Sequence, residues 1–321
     1  MRRLTASLAV ALGSLAMLAP APADAGMEPY GLTFARLGEV ASGADCVCIL
    51  PADVLWTARV HRRPRPRPLR VCAGKGGTCG ASEHAWAPDG KRLAFAIRRP
   101  YTTRAIRVRP LGRRGGVVLS PPSIDRTLSL SDPTWSPDGR RLAVTGARDS
   151  LAGNITAIYV VDVRSGRIRQ LTDGPADTSA DWSRRGEIAF QRAGLAHDPD
   201  DIDVFAVRPD GSGIRQITSG GGSEPDWSPD GRRLAFVRAV GTGDDVFTVT
   251  AAGLALRRVT HSGWATSPAW SPGGRLIAFE DGGAIRVVPA RGGKSQTIAR
   301  PGREHSFAAP AWRPPMVPAE R

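Results

Sequence analysis

The sequence predicts an all-β fold: a six-bladed β-propeller of four-stranded antiparallel blades, its last blade closed by strands from the N-terminal region. Three observations predict it. Trp86, Trp135, Trp182, Trp227, Trp270 and Trp312 head copies of one motif at spacings of 49, 47, 45, 43 and 42 residues, the length of one propeller blade. Gly (37) and Pro (27) make the 321-residue chain turn-rich, which disfavours a helical bundle. Only nine residues follow Trp312, so the last blade lacks three strands, and the N-terminal region holds three strand-like runs to supply them. Such closure removes the open edges of the ring. The runner-up is five blades with a separate N-terminal cap.

The elements follow in order. Residues 1–25 read as a signal peptide: Arg2 and Arg3, an apolar run over 8–18, and the small-x-small site Ala23-Asp24-Ala25. The run is short for a bilayer span, so no transmembrane anchor is expected after cleavage, and the destination is the periplasm or the medium. Residues 26–321 form one propeller domain: 26–80 supply the closing-blade strands (31–35, 54–60 and 69–72) and the cysteines, 81–315 the repeats, and 316–321 a tail. Cys46, Cys48, Cys72 and Cys79 are an even set, which in an oxidising compartment reads as disulfides. Cys46 and Cys48 share one strand face, so each is expected to pair with Cys72 or Cys79, within the closing blade.

Each repeat carries its own physics. Trp135-Ser136-Pro137-Asp138-Gly139 and its fellows force a tight reversal: Pro sets φ, Asp bonds the backbone that follows, and Gly accepts positive φ. The Trp strand and the Leu142-Ala143-Val144 type of run after the turn are therefore antiparallel neighbours. Third strands such as Ile158-Tyr159-Val160-Val161 and fourth strands ending in Arg169-Gln170-Leu171-Thr172 complete the unit. Each Trp is expected to pack against the next blade, making one continuous core.

The recurring Trp-Ser-Pro-Asp-Gly-x-x-Leu-Ala-Phe, with strands like Ile158-Tyr159-Val160-Val161-Asp162 and endings like Arg169-Gln170-Leu171-Thr172, resembles the TolB-type WD-like β-propeller family over about residues 84–315. The resemblance implies a propeller that binds a partner in the cell envelope. The family's namesake carries an α/β domain ahead of its propeller and binds a peptidoglycan-associated lipoprotein at one propeller face, in the periplasm. Here the residues before the repeats read as propeller strands, so that α/β domain is not expected.

Propellers take ligands at the channel mouth, so the segments leading into each Trp strand are the ones to search. They give a mixed-charge rim: Asp177, Asp181, Glu224, His261, Trp264, Arg303, Glu304 and His305. A protein or cell-envelope ligand bound there by a monomeric, non-enzymatic propeller is the primary reading. A hydrolase or lyase acting at the same rim is the alternative, since Arg303-Glu304-His305 and His261 offer an acid, a base and a charge clamp. No Gly-x-Ser-x-Gly elbow and no metal-spaced His pair is present, so no catalytic residue, cofactor or metal is assigned. The acidic stretch 197–203 leaves calcium open, although it lacks the glycine and closing glutamate of an EF-hand.

The net charge is +14, from 44 Lys+Arg against 30 Asp+Glu. Its sharpest concentration is Arg62, Arg63, Arg65, Arg67 and Arg70, spaced by prolines that keep the backbone extended. These arginines suit an anionic polymer. Nucleic acid is not expected as a partner, because the chain is exported and no aromatic platform accompanies the charge.

Overall fold

The structure is a computed structural model that describes residues 31–38, 41–43, 46–48, 54–59, 65–70, 78–99, 102–111, 115–120, 127–150, 153–174, 176–194, 201–302 and 305–315. The closing-blade strands come first in the chain: β1 (Gly31–Gly38), β2 (Ala41–Gly43), β3 (Cys46–Cys48), β4 (Val54–Arg59) and β5 (Arg67–Arg70). The first blade is β6 (Thr78–Trp86), β7 (Arg92–Arg99), β8 (Thr102–Pro110) and β9 (Val117–Leu119); the second is β10 (Leu128–Trp135), β11 (Arg141–Ser150), β12 (Gly153–Asp162) and β13 (Ile168–Gln170). The third is β14 (Asp177–Trp182), β15 (Ile188–Ala193), β16 (Ile202–Val207) and β17 (Arg215–Gln216). The fourth is β18 (Ser223–Trp227), β19 (Arg233–Val240), β20 (Gly243–Thr250) and β21 (Arg257–Arg258). The fifth is β22 (Ala265–Trp270), β23 (Leu276–Asp281), β24 (Ala284–Pro289) and β25 (Gln296–Ala299). The last strand, β26 (His305–Arg313), completes the sixth.

Six four-stranded antiparallel sheets result, and the sixth has the order β26-β1-β4-β5. The ring therefore closes as the strand count requires. Leu32 lies opposite Trp312 and Gly31 opposite Arg313, Phe34 meets Phe307 edge-on at 5.1 Å, and both rings are buried. The small hairpin β2-β3, which the sequence reading did not foresee, joins β1 to β4.

The repeat residues do the local work assigned to them. Ser136 Oγ donates to Asp138 (2.6 Å) and accepts the Arg141 N–H (2.9 Å), while the Gly139 N–H donates to the Ser136 carbonyl (2.9 Å). The closing threonines of the fourth strands cap their neighbours: Thr172, Thr218 and Thr260 Oγ1 accept the N–H of Ile158, Val204 and Val246. Asp203 and Asp245, at the starts of third strands, accept from Thr218 (2.8 Å) and Thr260 (2.6 Å). The Asp-Val-Phe and Arg-x-x-Thr signatures are thus two halves of one clasp.

One expectation is corrected: the tryptophans pack back onto the preceding blade rather than onto the next. Trp182 joins Ala143, Ile158 and Leu171 of the second blade, and Trp227 joins Ala189, Val204 and Ile217 of the third. At two of these junctions an arginine after the preceding blade's turn covers the indole. Arg92 of the first blade lies over Trp135 at 4.7 Å, and Arg141 of the second over Trp182 at 5.1 Å, holding each indole against the blade behind it.

The five junctions from the first blade to the sixth fall into two kinds. Where the residue before the Trp is Ala, as at Ala85 and Ala269, its carbonyl accepts the next blade's indole N–H, from Trp135 (3.1 Å) and Trp312 (3.0 Å). Where it is Thr134, Asp181 or Asp226, its side chain accepts the next Trp backbone N–H instead. The indole nitrogens of Trp182, Trp227 and Trp270 are then buried without a partner. At the closing junction, Thr33 Oγ1 accepts the Trp86 indole N–H at 2.9 Å and donates to the Ala311 carbonyl.

Candidate functional site

Every innermost strand carries a register shift at one place, within the six residues before its Trp. Such a bulge re-aims side chains, and here it turns one residue per blade toward the central channel. Asp132, Ser179, Glu224, Ser267 and Ala309 hold positive φ of 45–51° at these bulges, a region that L-residues occupy only when the surroundings enforce it. Pro133, Pro225, Pro268 and Pro310 follow four of them, at positions where the ladder needs no N–H. The channel has a volume of about 780 Å³ and is lined at one end by the bulge residues and at the other by turn prolines and Arg184.

The wall is acidic on one side. Asp181 accepts from Thr134 Oγ1 (2.9 Å) and from the Trp227 N–H (2.7 Å), and Asp226 accepts the Trp270 N–H at 2.6 Å. Burial pushes the Asp226 carboxyl well above the usual range, and Asp181 adds to the effect. Burial likewise raises Asp181, against the pull of its hydrogen bonds. Glu224 is raised by burial, with Asp132 and Asp244 reinforcing the shift, while its carboxylate accepts the Ser267 N–H at 2.6 Å. Glu280, on β23 and outside the channel lining, is raised by burial and by Glu224. The opposite wall is small and apolar at Ala85 and Ala311, with His84 sharing a 2.9 Å hydrogen bond with Thr33.

The rim residues expected from the sequence separate into three groups. His261 and Trp264 are exposed in the connection before β22, at the bulge end of the channel, and Trp264 is 71% exposed. Asp181 and Glu224 are channel-wall groups already engaged by backbone donors. Asp177 is fully buried in a two-pronged ion pair with Arg192 (2.6 and 2.9 Å) and holds β14 to β15. Arg303 and Glu304 lie outside the described residues; His305 opens β26 opposite Gly38. Asp226 and Glu280 were missed, although Asp226 shares with Asp181 the repeat position just before Trp, a signal available in the sequence.

The described part of the arginine segment begins at the far end of the ring and runs back along β5. Arg65 and Arg67 are exposed at the β4–β5 connection, on the side of the Trp-Pro turns, and Arg70 pairs in register with Val54. Arg62 and Arg63 lie outside the described residues, as does 197–200 of the acidic stretch. Asp203 of that stretch is taken up by Thr218 and Gln216. Among the described residues no group of three or more His, Cys, Asp or Glu is placed to hold a metal. Cys72 also lies outside the described residues. Cys46 and Cys48 sit on the β2-β3 hairpin, whereas Cys79 belongs to β6 of the first blade, not to the closing blade, because that strand begins at Thr78.

Comparison with known proteins follows the architecture. A family model described as the TolB beta propeller domain matches residues 126–315. A protein TolB homolog from Chlorobium luteolum is 33% identical over 84 residues, which is 26% of this chain and 18% of that protein's length. The chain therefore spans less than a fifth of this curated relative in the match. The crystal structure of TolB from Acinetobacter baumannii superposes with a TM-score of 0.66 at 19% identity, covering 89% of this chain and 67% of that one. An oligogalacturonate lyase in complex with manganese superposes with a TM-score of 0.56 at 14% identity, covering 77% and 70%. These structural likenesses are likenesses of fold.

Proposed function

The chain belongs to the TolB beta propeller domain family, and from that premise we propose that it is an exported, non-enzymatic propeller that binds a protein or cell-envelope ligand at the bulge end of its channel. One observation carries this reading: an acid-lined channel of about 780 Å³ takes part of its lining from β22, the strand that the exposed His261 and Trp264 lead into. An exposed aromatic next to a recessed, hydrogen-bonding cavity has the anatomy of a protein-recognition anchor. Carboxylates whose charged form is disfavoured gain from a cation or a strong donor brought near them. The ligand's inserted group is accordingly a lysine, an arginine or an amide-rich turn.

Binding is favoured over chemistry at this site because the wall acids are already committed. Asp181, Asp226 and Glu224 each accept an inter-blade backbone N–H, which fixes the ring and leaves them poorly free to shuttle protons. Export rests on the Arg2–Ala25 segment, and mass spectrometry of the mature chain should show Gly26 as its first residue.

The testing experiment is a quantitative pull-down from envelope extracts with the wild-type chain and with Trp264→Ala and His261→Ala. The prediction is a partner captured by wild type and lost from Trp264→Ala at unchanged melting temperature. Undiminished capture by both variants would refute the assignment of this mouth. Turnover of oligosaccharide or peptide by the wild-type chain would replace the binding reading with the enzymatic one.

A further inference from the structure

The opposite end of the ring has a different character. Strand order places the Trp-Pro turns and the third-to-fourth-strand turns of every blade on one face. Backbone bonds tie the two sets together: Leu111 N–H to the Lys91 carbonyl (2.7 Å), Val163 to Arg140 (2.9 Å), Ala251 to Arg232 (2.9 Å) and Ala290 to Arg275 (2.8 Å). Side chains then cross between blades. Arg92 donates to the Gly139 carbonyl (3.0 Å), Arg185 to Asp230 (2.8 Å), and Arg313 to Gly90 (3.0 Å). The face is a cross-braced disc.

Its charge is one-sided. The inner turns of the first five blades each present an exposed cation: Lys91, Arg140, Arg184, Arg232 and Arg275. Arg65, Arg164, Arg208, Arg291 and Lys294 extend that charge onto the outer turns. The acids of the face, among the described residues, are Asp89, Asp138, Asp162, Glu187, Asp210 and Asp230. All but Glu187 are bonded into their own turns by backbone N–H groups, and Glu187 is paired with Arg215. The exposed cations are in excess.

The same outer turns carry apolar tips. Of the seven large hydrophobic side chains exposed among the described residues, five are here: Leu111, Val117, Ile214, Leu254 and Leu256; Leu254 is 67% exposed. The other two, Ile155 and Trp264, lie toward the channel-mouth end. Solvent-exposed leucines have no use for a soluble polyanion. A circle of cations spread over five blades also fits a planar array of phosphates better than a single strand of them. Cations beside apolar side chains at protruding turns match the two layers of a lipid interface, headgroup phosphate above and acyl chain below.

We propose that this face seats the propeller on an anionic phospholipid bilayer, with the arginine and lysine ring on the headgroups and Leu254 and Leu256 in the interfacial layer. The proposal is independent of the channel reading. Bound in this way, the molecule turns its acid-lined mouth away from the membrane, toward a partner.

Flotation of the full chain with vesicles of phosphatidylcholine, with and without a quarter or so of phosphatidylglycerol, tests it. Binding is expected to the anionic vesicles alone and to weaken with added salt. Arg140→Gln with Arg232→Gln should weaken it about fivefold per charge removed. Leu254→Ser with Leu256→Ser should weaken it about tenfold or more while leaving heparin affinity unchanged. All four side chains are at the surface, and melting curves check that the variants stay folded. The proposal is overturned if anionic vesicles are not bound. It is also overturned if the leucine pair binds them as wild type does, the result expected of a soluble-polyanion site, or if that pair loses heparin and vesicle binding alike.

Discussion

Replacing Trp135 by Phe should destabilise the ring by about 2.5 kcal/mol more than replacing Trp227 by Phe. The two tryptophans stand at the same repeat position and are equally buried, each 5% exposed, so the loss of ring volume is common to both and cancels in the comparison. Their indole nitrogens differ. Trp135 donates to the Ala85 carbonyl at 3.1 Å, a bond worth about 1 kcal/mol net, and Arg92 stacks on its ring at 4.7 Å, which adds about 0.5 kcal/mol. Trp227 has a buried nitrogen with no acceptor. Phe removes that unsatisfied donor and returns on the order of 1 kcal/mol. The assay is urea unfolding followed by far-ultraviolet circular dichroism, which does not depend on the mutated chromophores. Midpoint and slope are taken together, so that a change in slope reveals any departure from two-state unfolding. Equal losses at the two sites, or a larger loss at Trp227, would refute the two-kinds-of-junction account.

Asp226→Asn should stabilise the protein once the pH is above the usual carboxylate range. The buried Asp226 carboxyl is raised, so the folded state holds its proton more tightly than the unfolded state, and wild-type stability falls as pH rises from the unfolded value through the folded one. The amide oxygen can still accept the Trp270 N–H. Melting temperatures across pH should show the advantage of Asn fading on acidification, and an advantage that instead grows would contradict the shift. Phe34→Ala, which removes the edge contact with Phe307 across the closure, should cost about 3–5 kcal/mol, as read from the same urea titration. Ala309→Gly should stabilise by about 0.5–1 kcal/mol, because Ala309 holds a φ of 49° with only a methyl group; a lower urea midpoint would show that this φ carries no strain.

The architecture was legible because its signals are local and repeated. Pro-Asp-Gly after Trp specifies a reversal whatever the tertiary context, and the strand deficit after Trp312 requires closure from the other end. The site was less legible because it rests on departures from the ladder. Ser-Glu-Pro-Asp-Trp (223–227) reads as polar residues approaching a strand, and only the bulge shows that Glu224 turns into the channel while Asp226 bonds the next blade. Asp177 and Asp181, four apart on one strand, looked alike in sequence; Arg192 captures the first and the channel holds the second. The packing direction of the tryptophans was hidden for the same reason, since it is set by contacts with the neighbouring blade.

The register of the closing strands, with Gly31 opposite Arg313, brings the points where the chain enters and leaves the ring side by side, at the turn end of blade six. A short peptide joining them would permit circular permutants opened at another surface turn, such as 251–256, with the same six blades. A tether joined directly at Gly31 or after Arg313 would leave from the arginine side. Chains immobilised through it on a sensor present the acidic mouth to the flow and shield the opposite face. Vesicle assays call for untethered protein; partner screens are well served by the tether.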